Sequence, residues 1–340
     1  MCGRYALNVD INQLPSEFVG TAIINGDSNA VRPVDDNHNQ DDHDNDDNKD
    51  DNKDRVYSIG GKHGTEEEES TLILRNNLGG RYQSYNIAPT QNSVIIYKES
   101  AQSFIFETSS FGLIPFWMKP KTEGVTNQSK ELKGNQSKYF NCRKETLEKG
   151  SPIWNSAKNK RCVVPIEGYF EWKKDGSEKT PYYVHSSSSS LMYLVGFYSH
   201  NTLFEHNFQP NSSYFSSFTI ITGPAQSTDQ KDISWLHPRK PLMIAPGTKQ
   251  WEDWLNPDLD TSEKLIDFCL ETEKNIAFNS IATHRVSKDV GKTSTNGEYL
   301  IKEVKPTKSP QKSIDSFFKK RSGDASNTSS PKKVKTEPKY

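Results

Sequence analysis

Hydrophobic residues occupy only 32% of the 340 positions, too few for the whole chain to form one packed unit. Long apolar runs are missing as well. None approaches the roughly 20 residues that a membrane-spanning helix needs, and the start, MCGRYALNVD, has no apolar signal-peptide segment. A soluble, intracellular protein with no membrane partner is therefore expected. Cysteine is scarce: Cys2, Cys142, Cys162 and Cys269 lie far apart, with no C-x-x-C pair and no H-E-x-x-H run. That pattern excludes a disulfide framework and a structural or catalytic zinc site, and no metal or cofactor is expected. Net charge is nearly absent too, at -1.

The near-neutrality is a sum of opposed blocks. Residues 35–69 carry a net charge of -10 and residues 304–340 a net charge of +7, leaving a nearly neutral body. The total thus says nothing by itself about nucleic-acid binding. Residues 35–54 contain no hydrophobe at all, and 35–69 is expected to be a disordered acidic insert, on a face remote from any DNA. It is no EF-hand, because the glycine at the sixth position and the closing glutamate are absent. A second polar stretch, 119–138, repeats Asn-Gln-Ser-Lys at Asn127 and Asn135 and is expected to be a surface loop.

What is present is aromatic: 16 Phe, 14 Tyr and 6 Trp, enough for a real core. Branched and aromatic residues cluster at 93–97, 103–107, 161–172, 181–185, 191–198 and 217–222, which predicts strands, and Asp175-Gly176 suits a hairpin turn between two of them. The best helical pattern is 262–272, where Leu265, Ile266, Cys269 and Leu270 form a stripe behind a Ser262 cap. The expected fold is a β-dominated α+β body over residues 2–303, with few helices, followed by a disordered basic tail over 304–340.

Cys2 follows Met1 directly. If Met1 is removed, the chain begins with a free amine beside a free thiol. The α-amine has a reference pKa of about 7.7–8.0, against about 10.4 for lysine, so much more of it is nucleophilic at neutral pH. Such a 1,2-aminothiol condenses with an aldehyde to a Schiff base and closes to a thiazolidine. Position alone favours an ordinary residue at a disordered end.

Further segments follow in order: Tyr85-Asn86-Ile87-Ala88-Pro89-Thr90, Gly112-Leu113-Ile114-Pro115-Phe116-Trp117, Asn141-Cys142-Arg143-Lys144-Glu145-Thr146, Arg161-Cys162-Val163-Val164-Pro165, Gly168-Tyr169-Phe170-Glu171-Trp172 and His237-Pro238-Arg239-Lys240-Pro241. Together with Cys2-Gly3-Arg4-Tyr5, this series resembles the SOS-response-associated peptidase (SRAP) family, whose eukaryotic members process abasic sites. The resemblance spans residues 2–303 and implies a barrel-like sheet core. It also implies that Cys2 forms a covalent thiazolidine with an abasic site in single-stranded DNA. Glu171, His237 and Asn141 then match the family's catalytic positions, and Arg4, Arg143 and Arg239 its DNA-binding arginines.

Chemistry agrees with these types. Imine formation moves protons off an amine and onto a departing hydroxyl, which a carboxylate and an imidazole can share. Arginines hold phosphates bidentately, and Trp117 can stack on an unpaired base. Cys142 and Cys162 are expected to be buried hydrophobes. Two departures stand out: Phe111 where the family has Trp, and Lys240 where it has Met. Alternatives from other classes are a cysteine (auto)peptidase using Cys2, with hydrolase or lyase activity, and a non-covalent reader of damaged DNA. In the tail, Gln311, Ile314, Phe317 and Phe318 fit the pattern of peptides that dock on the sliding clamp (PCNA), and 331–335 resembles a nuclear import signal. A nuclear monomer is expected.

Overall fold

The computed structural model describes residues 3–22, 31–34, 53–59, 70–75, 82–147, 149–204 and 213–305. By its internal contacts the chain divides into Met1–Val304 and Lys305–Tyr340. Among the described residues the strands are β1 (Tyr5–Leu7), β2 (Val31–Pro33), β3 (Arg55–Ile59), β4 (Ser70–Leu74), β5 (Ser84–Ile87), β6 (Asn92–Ser100), β7 (Ser103–Phe111), β8 (Asn141–Arg143), β9 (Arg161–Ile166), β10 (Gly168–Asp175), β11 (Glu178–Ser186), β12 (Met192–Asn201), β13 (Phe215–Pro224), β14 (Arg239–Pro241) and β15 (Ile281–Arg285). The helices are α1 (Leu14–Ala22), α2 (Val125–Gln136), α3 (Lys144–Leu147), α4 (Pro152–Asn155), α5 (Lys249–Leu255) and α6 (Glu263–Cys269). None is long and apolar enough to cross a membrane.

The larger sheet runs β14-β13-β12-β9-β6-β7-β4-β3-β2. A further parallel pairing of β13 with β7, Ser217 opposite Ser110 and Phe218 opposite Phe111, joins the path back on itself. Strands β13, β12, β9, β6 and β7 thereby close into a barrel, the barrel-like core that the family resemblance implies. Phe111 sits at the closure, fully buried and stacked on Phe218 at 5.2 Å. Packing is its role there, so phenylalanine replaces tryptophan without leaving an indole N–H to satisfy. The smaller sheet, β15-β11-β10-β1-β5, is antiparallel throughout.

Three local expectations are corrected. The run 161–172 is two strands in different sheets: Ile166 pairs with Met192 in the barrel, while Gly168 pairs with Ala6 and His185 in the small sheet. Glycine is required at the switch, since a Cβ on Gly168 would meet the Tyr183 ring at 2.4 Å. Within the acidic insert, Arg55–Ile59 forms β3 between β2 and β4, because Val56, Tyr57 and Ile59 favour an extended, half-buried strand. In the polar stretch 119–138, helix α2 replaces the expected loop. It buries Gln128, Leu132 and Gln136, four residues apart on one face, with the Gln136 amide donating to the Ser110 hydroxyl at 2.7 Å. Helix α6 does start at the expected cap, the Ser262 hydroxyl accepting from the Leu265 N–H.

Candidate active site

The two-residue turn Gly176-Ser177 sets the register of β10 against β11, so Glu171 lies opposite Tyr182. Glu171 is buried, its side chain 7% exposed. One carboxylate oxygen accepts the Trp172 N–H at 3.1 Å, and the other lies 4.0 Å from Nδ1 of His237. The imidazole is oriented by its own loop. Nδ1 is 3.0 Å from the Arg239 N–H nitrogen and 2.9 Å from the Arg239 carbonyl oxygen. A bare Nδ1 can accept from the first and a protonated Nδ1 can donate to the second, so both protonation states keep a backbone partner. A group that must take up and release a proton without swinging away needs that property.

Strand β1 brings the start of the chain to this pair. Tyr5 lies opposite Tyr169, and the Phe170 N–H donates to the Arg4 carbonyl at 2.8 Å, so the chain is held at the residue preceding Glu171. Cys2 lies outside the described residues. The Arg4 guanidinium, expected at DNA, donates to Asn86 Oδ1 at 3.0 Å and to the carbonyls of Val290 at 2.6 Å and Gly291 at 3.2 Å. Burial lowers its pKa. Asn86 in turn donates to the carbonyls of Lys292 and Thr295. These contacts fasten β1 to β5 and to the segment that follows β15.

The remaining candidates gather around the outer half of β13. There β8 pairs on one edge, Thr222 opposite Arg143, and β14 on the other, Pro224 opposite Arg239. Asn141 starts β8 opposite Ile220, and Arg143 is exposed. Arg239 is engaged: its fork meets Glu145 at 2.8 and 3.0 Å, and it donates to the Thr222 carbonyl at 2.7 Å. That bidentate bond holds the Glu145 carboxyl below its ordinary pKa. Trp117 is exposed on the loop between β7 and α2. Cys142 and Cys162 are fully buried, as expected, and burial pushes both thiols up in pKa. Gln311, Ile314, Phe317 and Phe318 lie outside the described residues.

Glu145, Asn86 and Tyr182 are residues that the sequence reading did not single out. Glu145 and Asn86 stood inside the quoted motifs. Tyr182 was not accessible from the expected Asp175-Gly176 turn, which would set Thr180 opposite Glu171; the loop is Gly176-Ser177, one residue later, and shifts the partner by two.

A β-barrel with an N-terminal strand ending beside a buried carboxylate and an imidazole defines the class, and the sequence places the chain within it: residues 1–293 match the profile of SOS response associated peptidase (SRAP), and the chain belongs to that family. It is similar to abasic site processing protein YMR114C of Saccharomyces cerevisiae, 32% identical over 65% of this chain and 53% of that one. It therefore spans about half the length of the yeast relative. Abasic site processing protein YoaM of Bacillus subtilis is 27% identical over 65% of this chain and 86% of its own. For HMCES of Xenopus tropicalis, named likewise, the figures are 26%, 60% and 62%. A crystal structure of a Bacteroides thetaiotaomicron protein shares the fold, with a TM-score of 0.50 at 24% identity over 65% of this chain and 85% of that one.

Proposed function

We propose that this protein processes abasic sites in DNA by attaching itself to them through Cys2 in single strands. The observation that carries the proposal is the bond from Phe170 to the Arg4 carbonyl, which fixes the chain start against β10 one residue before Glu171. Cys2 is then two Cα steps of about 3.8 Å from Arg4. The names of the relatives support the choice of substrate.

In the reaction the Cys2 amine, freed by loss of Met1, adds to the aldehyde of the ring-opened sugar. Glu171 takes the proton that the amine gives up. His237 protonates the hydroxyl, which leaves as water to give the imine. The thiol sulfur then bonds to the imine carbon as its proton passes to nitrogen, closing the thiazolidine with one water lost overall. Arg143 holds a strand phosphate near the pair, and Asn141 orients the sugar. Gln311, Ile314, Phe317 and Phe318 recruit the protein to the sliding clamp in the nucleus, so alanine at both Phe317 and Phe318 lowers clamp affinity at least tenfold in titration.

The test is a denaturing gel of the full chain with an abasic single strand. A heat-stable shifted band forms, and Cys2→Ala abolishes it. A band of equal intensity from Cys2→Ala, or from a chain that retains Met1, contradicts the mechanism, and strand binding without a band marks a non-covalent reader.

A further inference from the structure

Trp235 lies in the turn 233–237, directly before the proposed proton carrier His237. The turn is well anchored. Ile233 and Leu236 are both buried, and the Leu236 N–H donates to the Ile233 carbonyl at 3.0 Å. Between these anchors the Trp235 indole is held outward, 41% exposed. Just before the turn, Asp232 accepts from the Ser234 N–H at 2.8 Å and hydroxyl at 2.6 Å.

The indole stands over the same face of the small sheet that carries Glu171. Side chains alternate along a strand, so Lys173, two residues beyond Glu171, shares its face, as does Tyr182 directly opposite Glu171. The Trp235 ring meets Tyr182 edge-on, 5.2 Å between centroids at 82°, and the Lys173 ammonium lies 5.4 Å from the indole centroid. The result is an exposed π surface beside one cation, over the face of β10 that carries Glu171.

We infer that Trp235 is a stacking subsite for the unpaired nucleobase next to the abasic position, with Lys173 taking the adjoining phosphate. The inference rests on the reaction proposed above. An abasic sugar offers no base of its own, so a π surface beside the reacting pair takes a neighbour's. Stacking on an aromatic side chain tolerates any base, and lysine serves the phosphate as a point charge. The subsite holds the strand in position and takes no part in proton transfer.

The experiment measures crosslinking of the full chain to labelled single strands carrying one abasic site. The flanking nucleotides are either normal or replaced, on one side or both, by tetrahydrofuran spacers that have no base and cannot open to an aldehyde. For the unaltered protein, spacers on the stacking side raise the half-saturating strand concentration about tenfold, near the low end of what one stacked base supplies. Trp235→Ala does the same on the normal strand, keeps the rate at saturation within twofold, and adds nothing on the doubly spaced strand. Trp235→Phe restores most of the affinity. The subsite is overturned if spacers leave the unaltered protein unaffected, or if Trp235→Ala weakens normal and doubly spaced strands alike. Failure of the unaltered protein to crosslink any strand overturns the proposed reaction instead.

Discussion

Strands β9 and β10 are separated by one residue, yet they treat a buried charge in opposite ways. In β9 all six residues are buried, and the Arg161 guanidinium is surrounded by fixed acceptors: the carbonyls of Trp254, Asn256 and Leu259 and the Thr261 hydroxyl. In β10 the buried charge is Glu171, and it faces an imidazole. Backbone dipoles can neutralise a charge, but they cannot pass a proton on. Arg161 therefore ties β9 to α5 and the segment after it, while Glu171 faces a side chain of the kind that exchanges protons. Substitutions in the two regions should separate stability from chemistry.

The largest effect on stability belongs to the barrel's outer cover. Trp254 is fully buried, packs on Phe197 at 5.7 Å and donates its indole N–H to the Cys162 carbonyl at 3.0 Å. Trp254→Ala should lower the unfolding free energy by about 3–5 kcal/mol in urea titration, while the fraction still folded crosslinks at the normal rate. An unchanged midpoint would show that the barrel is not the stabilising unit.

Next comes Lys240, whose ammonium lies 2.6 Å from Asp229 with both side chains fully buried, and 4.1 Å from the Phe278 ring centroid. Lys240→Met leaves the Asp229 carboxylate to the Gln226 N–H and the Thr272 hydroxyl, so a loss of about 3 kcal/mol is expected. Adding Asp229→Asn should recover part of it, since the unpaired charge is then gone.

Lys240 shows where sequence reading stops. It looked like a plain departure from methionine, because its partner Asp229 sits in no motif. Arg4 is similar: the acceptors that engage it, Asn86 and Val290, are 82 and 286 residues away, beyond any local pattern. Helix α2 escaped because two of its three buried residues are glutamines, which hides the stripe in a polar stretch. The strands of the barrel were legible, being runs of branched and aromatic residues with few competing polar positions. The sheet switch after Ile166 was not, although Glu167-Gly168 interrupts the apolar run there, because a charge and a glycine inside one run also fit a bulge within a single strand. Glu171 and His237 were found through their motifs, and only the fold sets them 4.0 Å apart.

Glu171→Gln should slow crosslinking on the order of a hundredfold, with binding to undamaged strands within twofold, as measured by gel kinetics and anisotropy. Equal losses in both would make Glu171 structural and erase the contrast with β9. The smallest effect concerns Glu145. Its folded pKa is depressed by the Arg239 fork, so its contribution is present above the ordinary carboxylate pKa and is lost as pH falls through the folded value. Because this carboxylate is nearly half exposed, Glu145→Gln should cost under about 1 kcal/mol at neutral pH. Thermal melts of variant and unaltered protein should converge in acid.

The central claim is that the bond to DNA forms at the first residue after Met1 and closes into a ring. Trypsin cuts after Arg4, so mass spectrometry of the digested adduct isolates Cys2-Gly3-Arg4. That tripeptide should carry the sugar remnant with the loss of one water, and its sulfur should resist iodoacetamide, as a thiazolidine does. A remnant on a lysine-containing peptide, or a Cys2 thiol that still alkylates, would contradict the account.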